Sequence, residues 1–356
     1  MTDTITNCRC EQDGFCQRFQ RIMSGRFREI CQGINVDLGT AAAFREQWRQ
    51  DTNTDQLKHT EKPKHIILSN FQAPGDAVAM TAAIYSLHRA HPGKYLTSIN
   101  VPWEGVFDYN PDIVPATKDA AQLYMHYPAI HQCNDRGIHF MQAWCEHLSV
   151  SLGVNIPLIT NRPHLYFPTP DPPIEDFWVI CSGGKRDFTG KLWGHDNYQK
   201  VVSTLHGAVR FVQVGGKNDD HQRLDGTEDL LGKTNLRQLF DIVRRARGVL
   251  CGVSLLMHVA AALERPAIII AGGREPVQWN AYPKQQYVHT VGSLSCRDLQ
   301  GHIGHACWRS RVLPLGDGSP FDNGTCEKPV DGIPLCMRII SPAEIAGLVL
   351  RYNRWQ

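Results

Sequence analysis

Apolar and polar positions along this chain change rhythm near Lys64. Residues 1–55 are polar, with helix-prone patches such as FREICQG and AAAFREQWRQD, and offer little that could form a core of their own. Beyond them, HIILSN is an apolar run of strand length, QAPGD a turn, and AVAMTAAIYSLHRAHPG a helix closed by His91, Pro92 and Gly93. YLTSINV reads as a second strand. PTPDPPIED has the composition of a linker, and after it the rhythm restarts. WVICSGG, VRFVQVGG, GVLCGV and PAIIIAGG read as strands, and HDNYQKVVSTLHG, TNLRQLFDIVRRA and LLMHVAAALE as helices. Strands alternating with helices through short turns predict parallel α/β sheets.

The expected class is therefore α/β, with two Rossmann-like, doubly wound parallel-sheet domains facing a cleft. This layout is called GT-B, and cysteine-rich metal-binding appendages would be added to it. The pattern divides the chain into a cysteine-containing N-terminal arm (1–55), a first domain (56–170), a second domain (171–295), a cysteine finger (296–340) and a C-terminal helix (341–356). That last helix, SPAEIAGLVLRYN, is available to cross back to the first domain.

Composition narrows the classes. Hydrophobic content of 42% is ordinary for a globular protein, and 37 basic against 35 acidic residues leave a net charge of +2. No global field gathers nucleic acid or an anionic membrane. No run approaches the roughly 20 apolar residues that span a bilayer. The opening MTDTITNCRC lacks the apolar stretch of a signal peptide, so a cytoplasmic location is expected.

Of twelve cysteines, eight fall into two sets: Cys8, Cys10, Cys16 and Cys31, spaced C-x-C-x5-C-x14-C, and Cys296, Cys307, Cys326 and Cys336, spaced C-x10-C-x18-C-x9-C. Four thiolates close a tetrahedral site around zinc or iron, and thiolate ligands do not distinguish the two. A disulfide framework is the competing reading, better suited to small exported chains. His302 and His305 could stand in for one thiolate of the rear set. Cys133, Cys145, Cys181 and Cys251 sit singly, as small buried hydrophobes do.

Glycine turns follow three predicted strands, at Gly75, Gly183-Gly184 and Gly272-Gly273. Open α/β sheets bind ligands at that edge, where glycine lets backbone approach a phosphate. None fits G-x-G-x-x-G or a Walker loop, so nicotinamide and ATP have no motif behind them. Lys185, Arg186 and Asp187 after the second turn are diphosphate or acceptor contacts, or simply a solvated loop. His126, His131 and His139 lack tight metal spacing.

In order, these motifs resemble glycosyltransferase family 9, the ADP-heptose:lipopolysaccharide heptosyltransferases, over about residues 64–350. Leu68-Ser69, Gly75-Asp76, Ala82-Ala83 and Leu87 match its first strand, turn and helix; Lys191-Leu192-Trp193 matches its Lys-x-Trp. VSLLMHVAAAL matches a DxGxxH-A-A-A-L helix start, keeping Ser254 and His258 but placing Val253 at the aspartate and Leu255 at the glycine. The resemblance implies Asp76 as catalytic base and Lys191 as the charge that meets the leaving diphosphate. It implies donor contacts from Gly75, Gly183, Gly184, Lys185, Trp193, Ser254, His258, Gly272 and Gly273. Arg274, Glu275 and Trp279 would replace the missing aspartate. From the residues alone, Asp76 would cap its helix and His258 would be a hydrogen-bonded structural group.

The rear set also resembles the cysteine finger of the autotransporter heptosyltransferases, a branch that carries iron there and modifies protein. The resemblance as a whole implies an inverting transfer of a heptose or related sugar from an ADP-sugar donor to a hydroxyl of a lipopolysaccharide or protein acceptor. The first domain would hold the acceptor and the second the nucleotide sugar. Structural iron or zinc would sit at both cysteine sets, no catalytic metal is expected, and a homo-oligomer stays open. The alternatives are transfer to modified nucleic-acid bases, and a catalytically degenerate, metal-stapled binding or assembly module, which Val253 favours.

Overall fold

The structure is a computed structural model and describes residues 62–103, 105–127 and 136–354. The arm at 1–55, with Cys8, Cys10, Cys16 and Cys31, lies outside the described residues, as do His131 and Cys133. By contacts the described residues divide into one compact unit that holds 62–64 and 91–95 and another that holds 65–90 and 96–354. All the site chemistry below lies within the second.

Two separate sheets are present. The first holds β1 (Lys64–Ser69), β2 (Tyr95–Asn100) and β3 (Ala121–Tyr124) in the order β2-β1-β3, with β1 and β3 parallel. Among the described residues it has three strands, smaller than the doubly wound domain expected. Helices α1 (Pro74–Ala90) and α2 (Phe140–Leu152) pack on each other beside it. The second sheet is built from β4 (Glu175–Cys181), α3 (His195–Thr204), β5 (Phe211–Gly215), β6 (Glu228–Leu231), α4 (Leu236–Arg245) and β7 (Ala246–Gly252). It continues through α5 (Leu255–Ala262), β8 (Ala267–Gly272), α6 (Val277–Asn280) and β9 (Gln285–His289). Its order is β6-β5-β4-β7-β8-β9, parallel throughout. That is the Rossmann order, and the strand order reverses between β4 and β7, where such sheets bind ligands.

Local chemistry explains the elements. AIIIAG of β8 is buried along its whole length, as a strand covered on both faces must be. Asn235 and Gln238 exchange side-chain-to-backbone hydrogen bonds of 2.9 Å each, a capping box that starts α4. Gly153, with φ 69°, closes α2 in the left-handed conformation that glycine adopts without strain.

The halves share one core. Ala77, Val78 and Ala82 of α1 join Met257, Val259 and Ala260 of α5 in a single apolar cluster, small side chains that let the helices approach. The linker is clamped as well. Buried Arg244 donates to the carbonyls of Thr169 and Pro170 and to Asp171, and lies 3.9 Å from the Phe167 ring centroid. Arg237 donates to the carbonyls of Gly105 and Tyr166. The finger ends in the short helix α7 (Leu335–Arg338), and α8 (Pro342–Arg354), available to cross back, packs on α3 of its own half. The indole N–H of Trp178 reaches Asn353 Oδ1 at 3.2 Å, and that of Trp193 reaches the Ile340 carbonyl at 3.1 Å.

Gly248 on β7 is where the second sheet tolerates no side chain: a Cβ there would stand 2.7 Å from the Trp178 ring. A rigid indole cannot yield, so Gly248→Ala should destabilise by about 1–3 kcal/mol, read as a lower urea midpoint at unchanged slope.

Candidate active site

Asp76 sits in the first turn of α1, at the carboxyl edge of the first sheet, and is 8% exposed. Its Oδ2 accepts the Ala73 backbone N–H at 2.9 Å and the Tyr127 hydroxyl at 2.7 Å. The first bond is the back-reaching half of a capping box, so Asp76 caps its helix from the third helical position and not from the N-cap position expected from the residues alone. It occupies one oxygen; among the described residues neither bond uses Oδ1. Burial pushes the carboxyl up to about 6, against the Tyr127 and Ala73 hydrogen bonds and the charges of Lys191 and Lys185, which pull it down. A carboxylate poised there can exchange a proton near neutral pH.

Facing it from the second half is a buried ion cluster. Lys191 ends the 3-10 turn Thr189–Lys191 after β4, and its Nζ lies 2.7 Å from Glu275 Oε1. The same carboxylate accepts from Arg274 Nη1 on Oε1 and from Asn280 Nδ2 on Oε2. Burial lowers the Lys191 ammonium while the Glu275 charge opposes the fall. In Glu275 burial works upward, but Lys191 and Arg274 outweigh it and hold the carboxyl below its usual range. Glu275 is thus the counter-charge that aims Lys191, with both oxygens committed.

Helix α5 supplies the third side. Leu255 opens it, Ser254 is its N-cap residue, and His258 lies in the first turn. The Ser254 hydroxyl is buried with no nitrogen or oxygen partner among the described residues, at a helix N-terminus beside the sheet's switch point. His258 is buried, its Nδ1 is 2.7 Å from the Tyr282 hydroxyl, and burial depresses it to about 3, so its ring is neutral. A Cβ on Gly75 would lie 3.0 Å from His258 Cδ2, so glycine there lets α1 approach α5. Val253 is buried and apolar, facing the same edge where the family pattern has a carboxylate.

The remaining expected contacts separate. Gly183 has a packing reason, because a Cβ would meet the Asp220 carbonyl at 1.9 Å. Trp193 is 1% exposed and tied to Ile340, inside the core of the second half. Lys185 is exposed. At Gly272, φ is 60° and a Cβ would meet Met337 Sδ at 2.7 Å; a Cβ on Gly273 would lie 3.2 Å from Cys336 Cβ. That turn therefore receives the finger rather than open space.

The finger holds the Arg274 loop. The backbone N–H groups of Cys307 and Trp308 donate to the Gly273 and Arg274 carbonyls at 3.1 and 3.0 Å. Arg274 in turn donates to the Arg309 carbonyl at 3.0 Å and to Ser310 Oγ at 3.1 Å. Buried Arg311 grips Asp317 and Asp322, organising the stretch without a core of its own. Cys296, Cys307, Cys326 and Cys336 are all free thiols and line one cavity of about 40 Å³. Burial, then the other three cysteines, push Cys336 up to about 11, opposed by the Gly273 backbone. No three of these thiols come within 4.8 Å of one another; among the described residues Asp298, His302 and His305 are the group that does.

Several functional groups were missed from the sequence. Tyr127, Asn280 and Tyr282 complete the site, and Phe140, 4.7 Å from the Trp279 ring centroid, walls it. The aromatic run YMHY, which leaves the end of β3 at the sheet's carboxyl edge, was the available signal for Tyr127.

Residues 167–301 match the sequence profile described as glycosyltransferase family 9 (heptosyltransferase). The chain is 28% identical over 109 residues to lipooligosaccharide heptosyltransferase 2 of Haemophilus influenzae, spanning 27% of this chain and 31% of that one. The match thus covers about a third of the relative's length. Among solved structures, the fold is similar to the iron-containing dodecameric glycosyltransferase TibC of enterotoxigenic E. coli H10407, at TM-score 0.56 and 16% identity, covering 83% of this chain and 77% of that one. TibC is also solved in complex with ADP-D-β-D-heptose, at 17% identity and the same coverage. A family 9 glycosyltransferase from Veillonella parvula aligns at TM-score 0.55 and 13% identity, over 83% of this chain and 99% of that one. The fold is GT-B, and its second half carries the family 9 sequence pattern.

The Asp76 carboxyl should titrate near pH 6, followed by carbon NMR of labelled side chains. The Tyr127 bond stabilises the ionised form, so Tyr127→Phe should move that midpoint upward. An unchanged or lower midpoint would show that the hydroxyl does not act on this carboxylate.

Proposed function

We propose that this chain is a glycosyltransferase that moves a heptose or related sugar from an ADP-activated donor to an acceptor hydroxyl, with inversion, by a single displacement. What carries the reading is Asp76, with its carboxyl near 6, facing the Lys191 ammonium from the other sheet's edge. The acceptor hydroxyl gives its proton to Asp76 Oδ1 as its oxygen bonds to the anomeric carbon. The bond to the diphosphate breaks on the opposite face, and the charge that grows on the departing oxygen meets Lys191. The N-terminus of α5 with the Ser254 hydroxyl suits the remaining phosphate oxygens, and Lys185, the Gly184 and Gly273 backbone and Arg274 border the same edge. The family 9 match over residues 167–301 and the ADP-heptose bound by TibC support the donor class. Val253 leaves the sugar's own contacts unlike the family pattern.

The acceptor we favour is a hydroxyl on protein or lipopolysaccharide. Among the described residues no helix is long and apolar enough to cross a membrane. TibC is dodecameric, which supports testing this chain for a homo-oligomer. The finger's four free thiols around one small cavity suit a single structural ion. Thiolates that repel one another need a cation to ionise together, and an ion would draw them inward. Iron or zinc fits that donor set, and its part would be to hold the finger against the Gly273–Glu275 loop.

Incubation with ADP-heptose, ADP-glucose, GDP-sugars and UDP-sugars should release ADP from the heptose donor, read by mass spectrometry; release from none of them would overturn the reading. Asp76→Asn should slow transfer about a hundred- to ten-thousand-fold with nucleotide affinity nearly intact, whereas Lys191→Ala should weaken nucleotide binding as well.

Glu275→Gln should lower both stability and turnover, the former by about 1–3 kcal/mol, below a fully buried pair because Lys191 is 27% exposed. Elemental analysis of protein purified under reducing conditions should find iron or zinc, and replacing Cys307 and Cys326 by serine should remove one ion per chain. Full metal content in that variant would remove the cysteine cavity as the site.

A further inference from the structure

We infer that Asp298, His302 and His305 form a second, thiol-free metal site on the finger, which takes one first-row divalent cation such as Zn²⁺. The Asp298 side chain is 1% exposed. Its Oδ1 accepts the backbone N–H groups of Gln300 and His302 at 2.9 and 2.8 Å. Its Oδ2 faces only two imidazoles, His302 Nδ1 at 3.0 Å and His305 Nδ1 at 3.5 Å. Among the described residues no lysine or arginine pairs with it. A buried carboxylate is costly unless a cation or metal compensates it.

Distances turn this shortage into a site. Ligand atoms bound to zinc at about 2.0–2.1 Å stand roughly 2.8–3.0 Å apart at neighbouring corners of an octahedron and roughly 3.3–3.4 Å apart in a tetrahedron. The spacings of 3.0 and 3.5 Å from Oδ2 to the two ring nitrogens fall close to those edges, and all three ligand atoms lie within 4.8 Å of one another. The loop reaches this arrangement because Gly301 and Gly304 turn with φ of 95° and 82° in open space, bringing both rings to one side of the carboxylate. The imidazoles are 58% and 40% exposed, which leaves an entry path and open positions for water.

Two imidazoles and a carboxylate are a nitrogen–oxygen set, chemically distinct from the cysteine cavity. His305 also lines that cavity, so an ion here would fix the wall the two share. The inference needs no glycosyltransferase activity and stands or falls apart from it.

The test strips the full-length protein of metal with a chelator and titrates it with Co²⁺, whose thiolate complexes absorb by charge transfer while nitrogen–oxygen complexes show only weak d–d bands. Wild type should take up one equivalent without the thiolate band, and bind one more Zn²⁺ by elemental analysis than His302→Gln/His305→Gln. That variant keeps Asp298 and its backbone hydrogen bonds, so its metal-free melting temperature should match wild type; Asp298→Asn should lose the same equivalent. Equal metal content in wild type and double variant would overturn the site. So would loss of the thiolate band in the variant, since His305 would then be a ligand of the cysteine-bound ion.

Discussion

The buried pairing of Glu275 with Lys191 and Arg274 is the constraint on which the rest of the site depends. Glu275 lies on the loop after β8 and Lys191 on the turn after β4, so their bond ties the ends of two strands together at the sheet's carboxyl edge, across its switch point. Neither charge would be stable alone at that depth, because desolvation of one unpaired ion exceeds what a few hydrogen bonds return. Arg274 extends the pair into the finger through Arg309 and Ser310. Trp308, a non-glycine residue at φ 58°, marks where the finger backbone bends to meet this loop. Such a conformation persists only where its surroundings hold it. The finger is therefore part of the framework of the proposed active site.

Close approach of the two halves sets the electrostatics. Alanines and Gly75 along α1 let it lie against α5, and the water excluded by that contact raises Asp76 while lowering Lys191 and His258. One cause moves an acid and a base toward one another in proton affinity. A wider cleft would return Asp76 to the ordinary carboxylate range and leave it poorly suited to taking a proton near pH 7.

Much of the architecture was legible in the chain. The strand and helix rhythm, the restart after the proline-rich stretch and the glycine turns are local patterns, and the sheets follow them. The ordered motifs around Asp76, Lys191 and His258 placed these three at converging edges. Less legible were residues whose type suggested one task and whose neighbours assign another. Trp193 is core, Gly183 accommodates the Asp220 carbonyl, and α8 stays with its own half.

By itself, the sequence determined which segments form strands and helices, because burial of positions two, three or four apart is written into neighbouring residues. It also determined where chemistry-bearing types occur. Only the tertiary structure decided which of them meet. Tyr127 reaches Asp76 across 51 positions, and Glu275 reaches Lys191 through the order in which β4, β7 and β8 line up. Those partnerships depend on sheet order and on how much water the packed halves exclude, and no local pattern encodes either.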